Sequence, residues 1–150
     1  MSDDLYIDGN KVFETKQDHQ SYLEPISGIY LNALCKDVHA SSYNAGWWHD
    51  PETKEELINN IYVLATKIGL IHSEASEALE GLRKNIPDDK LPQYPMDAVE
   101  IADVIIRAFD YCGARGYNIG TIIAEKMAIN HSRADHKIEN RMVKEGGKYF

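Results

Sequence analysis

The sequence predicts an all-α protein: an antiparallel, four-helix bundle-like fold preceded by a short N-terminal hairpin or arm. Three observations lead there. From Pro25 onward, apolar residues recur at the three-and-four spacing of helices. The breaks between these periods carry proline, glycine or asparagine, the residues that end helices. The connections are short, which favours up-and-down neighbours in a bundle.

Residues 1–24 form the arm. Leu5, Ile7, Val12 and Phe13 alternate around Asp8-Gly9-Asn10 in the manner of two short strands. Residues 25–144 make the helical domain. Its first helix runs from about Pro25 to about residue 40 on Ile26, Ile29, Tyr30, Ala33, Leu34 and Val38. An irregular aromatic connection follows, with Trp47, Trp48, His49, Asp50 and Pro51. Asp50 or Thr53 is expected to cap the second helix, which runs from about 53 to 83. Its main apolar stripe is Leu57, Ile61, Leu64, Ala65, Ile68, Ile71, Ala75 and Leu79. Pro87, Pro92 and Pro95 punctuate the next loop. The third helix spans about 96–113 and ends at Gly113 and Gly116. A fourth starts at Asn118, a capping residue, and continues past Arg133. Residues 145–150 form a tail.

Composition narrows the function classes. A chain of 150 residues with 43% hydrophobic and 27% charged residues suits one soluble globular domain. A net charge of −8 argues against nonspecific binding to nucleic acid polymers or anionic membrane. It is compatible with a small phosphorylated substrate held through divalent cations. Cys35 and Cys112 each lie in apolar stretches and are expected to be free, buried thiols. No signal peptide or 20-residue apolar span is visible, so the expectation is a cytoplasmic protein.

The chemistry is carried by carboxylates. Glu74 and Glu77 stand at i, i+3 on the second helix, and Glu100 and Asp103 repeat that spacing on the third. If the two helices are antiparallel neighbours, both pairs sit roughly 6–9 Å from their connecting loop and face each other. Carboxylates that close repel by about 4 kcal/mol per pair at an effective dielectric of 20, so either they stay apart in water or a cation sits between them. All-oxygen ligands favour Mg²⁺, with Mn²⁺ as the alternative, over Zn²⁺. The competing reading makes Glu100, Asp103, Arg107 and Asp110 a solvated stripe, with Asp103 and Arg107 paired at i, i+4. Lys126, Asn130 and Arg133, at i, i+4 and i+7, share a face of the fourth helix and suit phosphate oxygens. A solvated basic face is the alternative.

Glu74-x-x-Glu77, a spacer of 22 residues, Glu100-x-x-Asp103, and then Lys126-x-x-x-Asn130-x-x-Arg133 resemble the MazG-like all-α nucleotide pyrophosphohydrolases. The resemblance covers roughly residues 53–135. It implies hydrolysis of ribo- or deoxyribonucleoside triphosphates to monophosphate and pyrophosphate, with house-cleaning or pool control as the role. It also implies Mg²⁺ and catalysis at Glu74, Glu77, Glu100 and Asp103, phosphate contacts from Lys126, Asn130 and Arg133, and a homodimer or homotetramer. Trp47 and Trp48 resemble an aromatic segment near the nucleobase, where an indole can stack on a base; core packing is their other role. Two alternatives remain: a phosphoribosyl-ATP pyrophosphatase-like enzyme, and a noncatalytic helical binding or assembly module. His72 lies near Glu77 and is expected to be structural, while His131 and His136 are expected at the surface.

Overall fold

The computed structural model describes residues 5–7, 10–13 and 16–133, with side chains from Gly28 onward. The described residues form four helices and one two-stranded ribbon: β1 (Leu5–Ile7), β2 (Asn10–Phe13), α1 (Lys16–Asn44), α2 (Ile61–Lys84), α3 (Met96–Ala114) and α4 (Ile119–Ser132). The protein is therefore all-α with a small N-terminal hairpin. The strands pair antiparallel, with Ile7 opposite Asn10 and an irregularity between Leu5 and Tyr6. His136 and the tail lie outside the described residues.

The segment Ala33–Tyr117 forms one compact unit, and the flanking parts of the chain form another. In the flanking unit, α4 crosses the first half of α1 at two glycines. A Cβ on Gly120 would sit 2.3 Å from the Gly28 carbonyl oxygen, so only hydrogen fits at this crossing. Asn118 occupies the N-cap position of α4 without a side-chain capping bond. Asn32 of α1 does that work instead, its Oδ1 accepting the Gly120 N–H at 2.8 Å.

In the other unit, α2 and α3 run antiparallel. Gly81 meets Met96 and Asp97, Glu74 meets Arg107, and Lys67 meets Asp110, so partners rise along α3 as they fall along α2. At the loop end, a Cβ on Gly81 would approach the Asp97 nitrogen and Met96 Cβ to 2.9 Å. At the far end, a Cβ on Gly113 would sit 2.3 Å from His39 Cβ, so α1 presses equally close to α3. The loop between α2 and α3 is tightly tied. Asn85 ends α2 in the left-handed conformation, Pro87 and Pro95 form an antiparallel bridge, and Asp88 Oδ1 accepts the Lys90 and Leu91 N–H groups.

Two expected helix starts are corrected. α1 begins at Lys16, upstream of Pro25, because a proline inside a helix removes one backbone donor without obliging the chain to stop. α2 begins at Ile61 rather than near 53, and its cap is Asn60, whose Oδ1 accepts the Tyr62 and Val63 N–H groups. Asp50 does accept the Glu52 and Thr53 N–H groups, but these close a local turn. Lys54 then adopts φ of 62°, where a helix cannot propagate, and the segment folds back through the His49–Glu56 bridge. α4 ends at Ser132, and Arg133 is already extended, with ψ of 132°.

The core of this unit is small and partly polar. Trp48 is 0% exposed, and Cys35, Leu64, Ala78 and Phe109 are buried around the same seam. Asp110 is 5% exposed and serves three donors or partners at once. Trp48 Nε1 donates to its Oδ1 at 2.7 Å, His39 Nδ1 meets the same oxygen at 3.0 Å, and Lys67 Nζ reaches Oδ2 at 3.0 Å. The Lys67 ammonium also lies 4.3 Å from the centre of the Trp48 ring. Both cysteines are free; Cys35 is buried and donates its thiol to the Phe109 carbonyl, while Cys112 is half-buried.

The buried face of α2 differs from the expected stripe. Leu64, Glu74, Ala78 and Gly81 are buried, whereas Ile61, Ile68 and Leu79 of the stripe are exposed. On α3, Phe109, Glu100 and Asp110 are buried while Ile101, Ile105 and Ile106 are exposed. The α2–α3 seam is thus lined by small and charged residues, and much of the apolar surface faces outward.

Asp110→Ala is expected to lower stability by about 3–5 kcal/mol, because it leaves Lys67 mostly buried without its counter-charge and the Trp48 N–H without an acceptor. Urea unfolding measures this, and a loss no larger than for an exposed substitution would contradict the role given to Asp110.

Candidate metal centre and cleft

The seam carries its carboxylates near the loop end, where Gly81 permits the closest approach. Glu74 and Glu77 come from successive turns of α2 and Glu100 from the second turn of α3. One oxygen from each of these three lies within 4.8 Å of the others. Glu74 is 6% and Glu100 8% exposed, and Glu77 stands at the open side. Burial, aided by the charges of Glu77 and Glu74, pushes the Glu100 carboxyl above the usual carboxylate range.

Three carboxylates within 4.8 Å would repel by roughly 3–4 kcal/mol per pair at an effective dielectric of 20 if all were ionised. The donor set is oxygen only, with no histidine or cysteine in the group. It therefore fits Mg²⁺ or Mn²⁺ better than a softer ion. Asp103, expected as the fourth ligand, is not in this group. Its side chain is one methylene shorter than glutamate, and it lines the adjoining cleft instead.

That cleft has a volume of about 620 Å³. Its wall includes Trp47, Leu57, Val63, Leu70 and Ile106 as apolar surface, with Lys67, Asp103, Arg107 and Asp110 as charged groups. Trp47 is 71% exposed and available to a flat ligand. Trp48 is not: it is enclosed in the core with its N–H bonded to Asp110, which corrects the expectation that it also faces a base. The two adjacent indoles have opposite fates because Gly46, at φ of 86°, turns the chain and Trp48 is then drawn in by the bridge between its carbonyl and the Leu57 N–H.

The solvated-stripe alternative is not met on α3. Glu100 and Asp110 are buried, and Arg107 does not pair with Asp103. Its guanidinium instead crosses the seam, with Nε and one terminal nitrogen both on Oε1 of Glu74. His72 and His131 are exposed. Lys126 and Asn130 lie on α4, in the unit apart from the acidic cluster, and Arg133 follows the end of that helix, so the i+7 face argument does not extend to it. Sequence reasoning missed Lys67 and read Asp110 only as a member of a solvated stripe, whereas it is buried. The available signal was a lone aspartate between Phe109 and Tyr111, since a charge flanked by aromatics at a helix end implies a buried partner.

Comparisons with family models, curated proteins and solved structures returned no match. Among the described residues, no helix is long and apolar enough to cross a membrane.

The burial of Glu100 beside other carboxylates has a pH signature. Its folded-state pKa is raised, so protonation favours the folded form, and this contribution is present below the unfolded value and lost as pH rises through the folded one. In metal-free protein, Glu100→Gln is therefore expected to raise the melting temperature at neutral pH, and the gain should shrink toward zero as pH falls below about 4. Melting curves from pH 3 to 8 in chelator test this; a variant less stable than wild type at pH 7 without metal would contradict it.

Proposed function

We propose that the protein is a Mg²⁺-dependent nucleoside triphosphate pyrophosphohydrolase, converting ribo- or deoxyribonucleoside triphosphates to monophosphate and pyrophosphate. The observation that carries this reading is the convergence of Glu74, Glu77 and Glu100 beside a cleft whose rim bears the exposed Trp47. The carboxylates would hold the ion, and Trp47 offers a face for base stacking, worth roughly 1–3 kcal/mol. Asp103, which lines the cleft, enters the reading as a metal ligand on the sequence resemblance alone. Lys126, Asn130 and Arg133 enter the reading as phosphate ligands on the sequence resemblance alone.

Glu74, Glu77 and Glu100 would hold a divalent ion, which would supply charge neutralisation for the pyrophosphate leaving group. The chain's own task is orientation. The α2–α3 seam holds the carboxylates rigidly, and the apolar wall of Leu57, Val63, Leu70 and Ile106 excludes water from one side of the substrate. Attack of water on phosphorus would form one P–O bond as the P–O bond to the leaving pyrophosphate breaks, and the water's proton would pass to solvent or to a neighbouring carboxylate.

A second copy of the chain belongs to this reading. Ile61, Ile68, Leu79 and Leu82 are exposed along one stripe of α2, and Ile101 and Ile105 along α3. Such a run of large apolar side chains suits an interface between like subunits, a homodimer or homotetramer.

Incubation with a panel of ribo- and deoxyribonucleoside triphosphates and Mg²⁺ is expected to release pyrophosphate and monophosphate. Glu77→Ala should lower that rate by about two orders of magnitude or more, consistent with loss of a metal ligand. Absence of release from every triphosphate would overturn the activity. Separately, Ile68→Asp with Leu79→Glu is expected to reduce the mass measured by light scattering to that of one chain; an unchanged mass would place the interface elsewhere.

A further inference from the structure

Arg107 is the residue of the cleft that the reading above leaves without a task. It lies one turn beyond Asp103 on α3 and, among the described residues, shares the cleft wall with a single other cation, Lys67. Lys67 is committed: its ammonium is 3.0 Å from Asp110 Oδ2, its side chain is 15% exposed, and it covers the Trp48 ring. Arg107 is held differently. Its side chain is 40% exposed, and its contact is with one oxygen of Glu74, whose side chain is 8% exposed.

Glu74 is also the most deeply buried member of the carboxylate trio. A guanidinium and a divalent ion compete for the same carboxylate, because each neutralises the same charge and each uses the same lone pairs. The planar fork of arginine binds two oxygens of a phosphate as readily as those of a carboxylate. A phosphate oxygen is thus chemically equivalent to the Glu74 Oε1 that Arg107 now contacts. Exchanging one oxyanion for another keeps the guanidinium paired throughout, so no buried charge is left bare.

We propose that Arg107 is an exchangeable phosphate ligand: it occupies Glu74 in the metal-free protein and transfers to a polyphosphate oxygen when a divalent ion takes that carboxylate. The inference rests on the metal-dependent reading of the trio. It gives the cleft an order of events, in which the ion frees the cation that then grips the substrate. It also makes the metal-free site self-neutralised at Glu74, with the residual crowding concentrated on Glu100 and Glu77.

The test is a titration of the full chain with Mn²⁺, followed by electron paramagnetic resonance, with and without inorganic pyrophosphate as the probe. Arg107→Gln is expected to bind Mn²⁺ alone several-fold more tightly than wild type, because the competing cation is gone. Pyrophosphate should bind the Mn²⁺-loaded variant about tenfold more weakly, the loss of one charge-assisted contact. If the variant fails to fold, Arg107→Lys carries the test: it keeps the charge but lacks the fork, and pyrophosphate affinity should fall several-fold. Wild type that binds no Mn²⁺ would overturn the metal centre and this proposal together. Wild type that binds Mn²⁺, with unchanged pyrophosphate affinity in the variant, would overturn the role of Arg107 alone.

Discussion

The carboxylate of Asp110 ties together every element of the Ala33–Tyr117 unit. It belongs to α3, and its partners come from α1 (His39), from the connection after it (Trp48) and from α2 (Lys67). A buried carboxylate must find such partners or forgo its charge, and here their positions dictate how the three helices meet. Trp48 can be wholly enclosed only because its N–H has an acceptor inside. Enclosing Trp48 in turn directs Trp47 outward to the rim of the cleft. One buried charge thus sets both the packing of the core and the shape of the site.

Along the α2–α3 seam the electrostatics change from balanced to unbalanced. At the far end Lys67 neutralises Asp110, and in the middle Arg107 neutralises Glu74. Toward the loop, Glu77 and Glu100 stand beside Glu74 without an equivalent cation in the trio, and burial, aided by the charges of Glu77 and Glu74, pushes the Glu100 carboxyl up. Gly81 enforces this crowding, since the absence of a side chain there lets α3 approach α2 directly below the carboxylates. A seam packed tightly at its loop end with excess negative charge is poor as a stabilising core. It is well suited to holding a hard divalent cation, whose binding would convert the repulsion into attraction.

The small, charged core has a further consequence. Large apolar side chains on α2 and α3 that a larger core would absorb are left outside. The helices therefore have two faces: one that meets within the unit and holds the carboxylates, and one that leaves large apolar side chains exposed.

Much of this was legible in the chain. Helical periodicity located the four helices, and the end of α2 and the start of α3 fell within a residue of their expected places because proline, glycine and asparagine act locally. Those two boundaries brought the acidic pairs of α2 and α3 to similar distances from their loop, while spacing alone left a solvated stripe open and did not separate Asp103 from the three that meet. The antiparallel pairing of Leu5–Ile7 with Asn10–Phe13 was equally local. The start of α2 was not, since Asp50 and Thr53 are good caps and only the fold-back through Lys54 and the His49–Glu56 bridge shows that they cap something shorter. Nor does periodicity alone say which face turns inward: Ile61, Ile68 and Leu79 of the main apolar stripe are exposed, while Glu74, Ala78 and Gly81 are buried. The sequence by itself determined the helices and the height of the carboxylates, because those depend on neighbours a few residues apart. Tertiary structure alone decided that Trp48 is buried and Trp47 exposed, that Asp110 is a hub, and that Arg107 reaches Glu74, because each depends on groups 30 to 70 residues distant meeting across a seam.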